Sequence, residues 1–315
     1  MYRVLFHMDS DGHSSAGVVA KYLKEKGVPA SQIYFHAVNY GLPLPTEIDY
    51  EKDTIYMVDF SLQPDLTMID FAAKLGERFI WIDHHDTSVK MEERVSALQR
   101  IPGRRQVEDI NGVKIAGCEL TWKCFYGKKE MPQILKMIGD WDTWRWTELP
   151  KAEQESVRHL QSYLLNNITS PQHKDGRAFW EVELEKEEVN PKYLREGQLV
   201  WEYQKKQWRS MAKSHAFEAE FAGLRAIMLN AKGSSDMFEG VFDPERHDLM
   251  VTFQLTREQY LVVSMYRGSS QCNVHLGDLA ANLGRAGDIQ SGGGHAGAAG
   301  FQCGWDYFKT LYNVL

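Results

Sequence analysis

Three short apolar runs near the start of this chain each end on a carboxylate or an imidazole. Tyr2-Arg3-Val4-Leu5-Phe6 runs into His7, Thr54-Ile55-Tyr56-Met57-Val58 into Asp59, and Arg78-Phe79-Ile80-Trp81-Ile82 into Asp83-His84-His85. After the first, residues 14–26 place Val18, Val19, Tyr22 and Leu23 at helical spacing and stop at Gly27. After the second, Pro64 opens a helix through Leu66, Ile69, Phe71 and Leu75 to Gly76. Strands alternating with helices predict an α/β fold whose parallel sheet carries helices on both faces. Ligands of such sheets bind outside the carboxyl ends of the strands, which is where these polar groups fall.

Helical signals dominate residues 116–137, and the texture changes after Trp146. Residues 148–215 are charged and rich in long side chains, as in Glu181-Val182-Glu183-Leu184-Glu185-Lys186-Glu187-Glu188, the pattern of helices with a solvated face. Strand-like pieces return at 224–229, 249–255 and 260–265, ahead of a glycine-rich stretch. The expected division is an N-terminal parallel-sheet domain over 1–147, a helical connector over 148–218 and a smaller C-terminal α/β domain over 219–315. No internal repeat is visible.

With 315 residues and 43% hydrophobic content the chain can bury a sizeable core. No apolar run approaches the roughly 18 residues of a membrane span, and no charged and apolar leader precedes Tyr2, so a soluble, cytoplasmic protein without a membrane partner is expected. Cys118, Cys124, Cys272 and Cys303 are widely spaced, which predicts packed thiols rather than a disulfide framework or a structural zinc. A net charge of −7 disfavours a surface that grips long nucleic acid through many phosphates.

Five segments carry metal-ligand residue types: His7 to Gly12, Asp59, Asp83-His84-His85, Asp140-Trp141-Asp142, and Gly292-Gly293-Gly294-His295. In an extended chain His7, Asp9 and Asp11 project to one side, because their spacing is two, and Gly12 allows an immediate turn. The same loop is open to a plainer use, since Asp is frequent in turns. Asp59 alone is weaker still, because an Asp after a strand usually caps the next helix. Asp83-His84-His85 is more specific: two histidines and a carboxylate directly after a buried strand are costly unless they bind something or are fully hydrogen-bonded.

Together, the loop around Asp9 and Asp11, the lone Asp59, the Asp-His-His triplet, Asp140 and the final Gly-Gly-Gly-His resemble the DHH phosphoesterase family with its DHH-associated C-terminal domain. The similarity spans nearly the whole chain, apart from the connector, and is greatest to the nanoRNases, or short-oligonucleotide phosphodiesterases. The resemblance implies two divalent cations, manganese above magnesium, held by His7, Asp9, Asp11, Asp59, His84 and Asp140, with Asp59 as the bridge. It implies a catalytic set of Asp59, Asp83, His84 and His85. Many members place the first-motif histidine four residues before the first aspartate, whereas His7 here stands two before Asp9. At the fourth motif Asp140 is the favoured ligand and Asp142 a supporting or substrate-facing carboxylate.

Carboxylates with imidazoles suit manganese or magnesium, and two such ions acidify a shared water for in-line attack on phosphorus. His85 is expected to contact the scissile phosphate or orient that water, with a structural hydrogen bond as its alternative. Gly292, Gly293 and Gly294 leave backbone amides unobstructed for an anion, and His295 adds a donor. Continued as Ala296-Gly297-Ala298-Ala299-Gly300-Phe301, this run resembles the family's substrate-binding motif, and Arg267 its phosphate-binding arginine. Asn273 is a further substrate-binding candidate; Ser264, Ser269 and Arg285 serve equally well as turn or surface residues. Trp141, Trp144 and Trp146 beside the fourth motif suit base stacking or, more commonly, core packing.

The implied function is hydrolysis of short RNA or linear dinucleotides to nucleoside 5′-monophosphates. The same core would also serve a cyclic dinucleotide, a 3′-phosphoadenosine 5′-phosphate type ester or single-stranded DNA. A non-catalytic nucleotide sensor is the reading of another class, and retention of every acidic ligand argues against it. Family analogy alone adds a homodimer.

Overall fold

The computed structural model describes the chain except residues 41, 269–271, 288 and 290 and the side chain of residue 291. It divides into two compact units, Met1–Trp201 and Glu202–Leu315.

The first unit is built on β1 (Tyr2–His7), α1 (Ser10–Glu25), β2 (Ile33–Val38), β3 (Thr54–Val58), α2 (Asp65–Leu75), β4 (Phe79–Asp83), α3 (Asp86–Arg94) and β5 (Gly103–Arg105). Its strands form a five-stranded sheet in the order β2-β1-β3-β4-β5, and every pairing is parallel. Alternation along each strand splits the side chains between two cores. Leu5, Ile55, Met57, Phe79 and Trp81 pack on one face with Met68, Phe71 and Leu75 of α2. Val4, Phe6, Tyr56, Val58 and Ile82 pack on the other with Val19 and Leu23 of α1. Both faces are thus buried, as expected of strands that read as nearly continuous apolar runs.

Two more helices follow, α4 (Gly117–Tyr126) and α5 (Gln133–Asp142), then α6 (Lys151–Leu165), α7 (Lys174–Glu183) and α8 (Pro191–His215), so the stretch expected as a helical connector is helical. Much of it is part of the first unit rather than a spacer. Val157, Leu160 and Leu164 of α6 and Trp180 of α7 share one apolar cluster with Trp122 and Ile138. Of the charge run at 181–188, Glu181 is exposed on α7, Glu183 is buried, and the exposed Glu185, Glu187 and Glu188 lie in the turn after the helix.

The second unit holds β6 (Phe217–Phe221), β7 (Leu224–Asn230), β8 (Leu249–Leu255), β9 (Tyr260–Arg267), α9 (Leu276–Ala286), β10 (Ser291–Gly294), β11 (Ala298–Gly304), α10 (Trp305–Thr310) and β12 (Tyr312–Val314). Its sheet runs β10-β11-β9-β8-β7-β6-β12 and is antiparallel apart from the parallel β7–β8 pair. Leu276 and Ala280 of α9 and Phe308 of α10 cover one face with Val251, Val263 and Met265. All four cysteines are free, and Cys118, Cys272 and Cys303 are buried. Among the described residues no helix is long and apolar enough to cross a membrane.

Candidate metal centre

The carboxyl ends of β1, β3 and β4 lie side by side, so the residues that leave them meet. The first loop does so by a different route from the one its spacing suggests. Asp9 is the N-cap of α1, with Gly12 N–H donating to its Oδ1 at 2.8 Å, and Asp11 lies in the first helical turn. The chain from His7 to Asp11 is therefore not an extended run with three side chains on one side, because the cap starts the helix at Ser10 instead of Ser14. Capping and convergence coexist: the other Asp9 oxygen is 2.7 Å from His7 Nδ1.

Asp11 is almost fully buried, and its carboxylate closes the N-terminus of α4. Gly117 N–H donates to Oδ2 and Cys118 N–H to Oδ1, each at 2.7 Å, a placement the helix dipole favours. Asp59 follows β3 with a left-handed backbone (φ 55°), a conformation costing roughly 1–3 kcal/mol in a non-glycine residue. Its N–H is tied to Ile82 O at 2.9 Å, which holds it against β4.

His84 stands at the centre. Its Nε2 lies 3.2 Å from Asp59 Oδ1, 3.3 Å from Asp142 Oδ2 and 3.5 Å from Asp11 Oδ2. His85 Nδ1 is 2.7 Å from Asp83 Oδ1 and 3.9 Å from Asp59 Oδ1. Asp83 accepts a second hydrogen bond from the Ser88 hydroxyl and so orients His85 instead of joining the cluster.

The fourth motif needs a correction. Asp142, not Asp140, reaches His84; the Asp140 carboxylate accepts from Arg145 Nε at 2.9 Å. Arg145 also grips Glu119 through both terminal nitrogens, at 2.8 and 2.9 Å. Glu119 in turn accepts from Ala116 N–H at the start of α4. Two residues along a helix point to nearly opposite sides, so only one of Asp140 and Asp142 can face the cluster.

Among the described residues three groups could hold a metal ion, each residue offering one ligand atom within 4.8 Å of the others in its group: His7, Asp9 and Asp59; Asp59, His84 and His85; and Asp11, His84 and Asp142. Their electrostatics are those of a cation site. Burial, with Asp11, Asp9, Asp142 and Asp83 around it, pushes the Asp59 carboxyl well above the usual carboxylate range. Burial, Asp11 and Asp9 do the same to Asp142. Burial opposes the charge on His7, but Asp9, Asp142 and Asp83 outweigh it and raise its pKa to about 9. Both Asp59 oxygens are buried and accept no hydrogen bond among the described residues. A buried carboxylate left so among like charges is costly, and a cation between the ligands removes both costs. The residues fit divalent metal.

Sequence reasoning passed over Ser88, Glu119 and Arg145, which act by holding other side chains, and also Gly117. A Cβ at Gly117 would lie 2.8 Å from Asp59 Cβ and 3.0 Å from Asp11 Oδ2, so the carboxylates can crowd α4 only over a glycine. A glycine in the first turn of an apolar helix was the one available signal.

In the second unit the candidate residues have other partners. The glycine run is an edge strand, not an open turn: Gly292, Gly293 and Gly294 pair with Phe301, Gly300 and Ala299. Gly292 is required by α9, because its Cβ would stand 2.2 Å from Ala280 O. Gly293 has nothing within 4 Å of that position. His295 N–H donates to Ala298 O at 2.8 Å. Arg267 donates to Val274 O at 2.9 Å and Ala296 O at 2.8 Å, tying the ends of the 274–296 segment together. Asn273 is exposed beside it, Ser264 pairs with Gly300, Arg285 donates to Asn282, and Ser269 lies outside the described residues.

A parallel sheet whose strand ends gather carboxylates and histidines into overlapping ligand groups defines a class, the metal-dependent hydrolases. Residues 2–140 match the DHH family, N-terminal domain. Among solved structures it is similar to the DHH domain of a member of a ribosomal-protein family, with 14% identity, TM-score 0.61 and coverage of 98% of this chain and 84% of that one. It also matches a pGpG-specific phosphodiesterase, PggH, from Vibrio cholerae at 12% identity and TM-score 0.42, covering 98% and 95% of the two chains. RecJ from Thermus thermophilus in complex with Mn2+ matches at 14% identity and TM-score 0.44, covering 98% and 50%. The first likeness supports the fold, and the other two are too distant in structure to carry an argument. No curated protein matches the chain.

Proposed function

We propose that this metal-dependent hydrolase is a phosphodiesterase that converts short oligonucleotides or linear dinucleotides to nucleoside 5′-monophosphates, with two divalent cations, manganese or magnesium. The observation that carries it is the overlap of three ligand groups through Asp59 and His84, which suits a pair of ions better than one. His7, Asp9 and Asp59 would hold one ion, and Asp11, His84 and Asp142 the other, with Asp59 facing both. When bound, such ions would supply a water of lowered pKa and offset charge that builds on phosphoryl oxygens.

The chain's own residues do the remaining work. Asp83 fixes one edge of His85 and so presents the imidazole beside Asp59, where it can orient water or meet a phosphate oxygen. Carboxylate oxygens are hard ligands, which favours manganese or magnesium over softer metals. Gly292, Gly293, Gly294, His295, Asn273 and Arg267 are assigned to the terminal nucleotide. Gly293 is the position whose open surroundings best admit an anion to the backbone.

The test is a manganese-supplemented digest of end-labelled RNA from two to twenty-four nucleotides, with matched DNA and a cyclic dinucleotide alongside. Rapid conversion of only the shortest RNAs to monophosphates is expected. Steady shortening of the longest strands, or cleavage of the cyclic compound alone, would replace the short-oligonucleotide assignment with an exonuclease or a signalling phosphodiesterase.

A further inference from the structure

The residues at the end of α5 and just beyond it have evident work, with one exception. Asp142 turns in to His84, Arg145 is bound to Glu119 and Asp140, and Trp146 is buried. Trp146 stacks on Trp141 at 5.5 Å and 19°, and the Arg158 guanidinium lies 4.5 Å from its ring. Between them Trp144 is 42% exposed and has φ 65°.

That combination is unfavourable twice over. A left-handed backbone suits glycine or asparagine far better than a bulky side chain, and water suits a polar side chain better than an indole. The neighbours explain the backbone: with Asp142, Arg145 and Trp146 each held in place, the chain between them is over-determined and the strained conformation persists. They do not explain the indole. Its ring centre is 6.1 Å from that of Trp146, so it is braced on one side by a rigid aromatic pair while much of it remains in solvent. Two peptide units separate it from Asp142, which keeps the two Cα atoms within about 7 Å.

We propose that Trp144 is a stacking platform for a nucleobase of the substrate beside the metal centre. This rests on the phosphodiesterase assignment above. Every base has a π face, so a lone braced indole holds a nucleotide without selecting its sequence. It would fix where the nucleoside lies relative to the phosphate and leave the chemistry to the cluster.

The experiment compares wild-type protein, Trp144→Gly and Trp144→Phe, with manganese, on a labelled dinucleotide and on its analogue with hydrogen in place of both bases. Trp144→Gly suits the left-handed backbone, so its Tm should hold. It is expected to raise KM for the dinucleotide on the order of tenfold with a smaller change in kcat, to leave KM for the baseless analogue alone, and to be largely rescued by Trp144→Phe. Calorimetric titration with AMP, and with ribose 5-phosphate as the baseless control, reads the same contact without turnover: only AMP should bind more weakly to Trp144→Gly. Unchanged KM and unchanged AMP affinity would overturn the platform while the phosphodiesterase assignment stood. No turnover of any diester, with AMP binding still dependent on Trp144, would remove that assignment and keep the platform.

Discussion

The residues singled out in the first unit and those singled out in the second occupy opposite situations. Around His84 the side chains converge while leaving valences unused: both Asp59 oxygens accept no hydrogen bond among the described residues, and Asp142 Oδ2 is in the same state. In the glycine-rich region the valences are committed to the fold, with Arg267 holding two carbonyls and Gly292 admitting α9. Unfilled demands shared by several buried ionisable groups point to a binding centre, whereas satisfied ones need a functional test to be more than structure.

The sharpest way to break this contrast is Asp59→Asn. Hydrolysis should fall on the order of a thousandfold or more, and the rise in Tm expected when manganese is added to the wild type should be absent. Without metal the variant should be at least as stable as wild type, since a carboxylate crowded by Asp11, Asp9 and Asp142 has been neutralised. Full activity would sink the two-ion centre.

Next in size is the choice within α5. Asp142→Asn should lower turnover on the order of a hundredfold, but Asp140→Asn only severalfold, because Arg145 keeps its two bonds to Glu119. The reverse ranking in a steady-state assay would return the ligand role to Asp140. Gly117→Ala probes the same centre from α4. With its Cβ 2.8 Å from that of Asp59, it should blunt the manganese-induced rise in Tm and reduce activity, and an unaltered metal titration would show the crowding to be relieved elsewhere.

The smallest effects belong to the second unit, and they decide whether its glycines do more than pack. Gly292→Ala should destabilise by about 1–3 kcal/mol through overpacking against α9, visible as a lower Tm. Gly293→Ala meets nothing, so its Tm should hold while KM for a dinucleotide rises severalfold. If neither variant changes KM, the glycine run is architecture and the proposed substrate grip lies elsewhere.

Much of the fold was legible because burial on both faces of a parallel sheet imposes long apolar runs, and β1, β3 and β4 stand where those runs stand. The half-exposed β2 lacks such a run, and its existence follows from pairing with β1. Residues of the 148–218 segment looked like a connector because charge pattern reports the wet side of a helix; the packing of Val157, Leu160 and Trp180 against Trp122 is visible only when the helices meet.

The same boundary runs through the metal centre. The sequence by itself determined which residue types gather at the strand ends, since His7, Asp59 and Asp83-His84-His85 are fixed there by strand length and side-chain period. Only the tertiary structure decided between Asp140 and Asp142, because the choice belongs to Arg145 and Glu119, brought together from distant parts of the chain. It also set Asp83 to hold His85, drew Asp11 to the N-terminus of α4, and left the Asp59 carboxylate without a hydrogen bond among the described residues. Local sequence fixes where a side chain begins; the partners that use up its charge and hydrogen bonds come from elsewhere in the fold, and what they leave unused is what a metal ion can take.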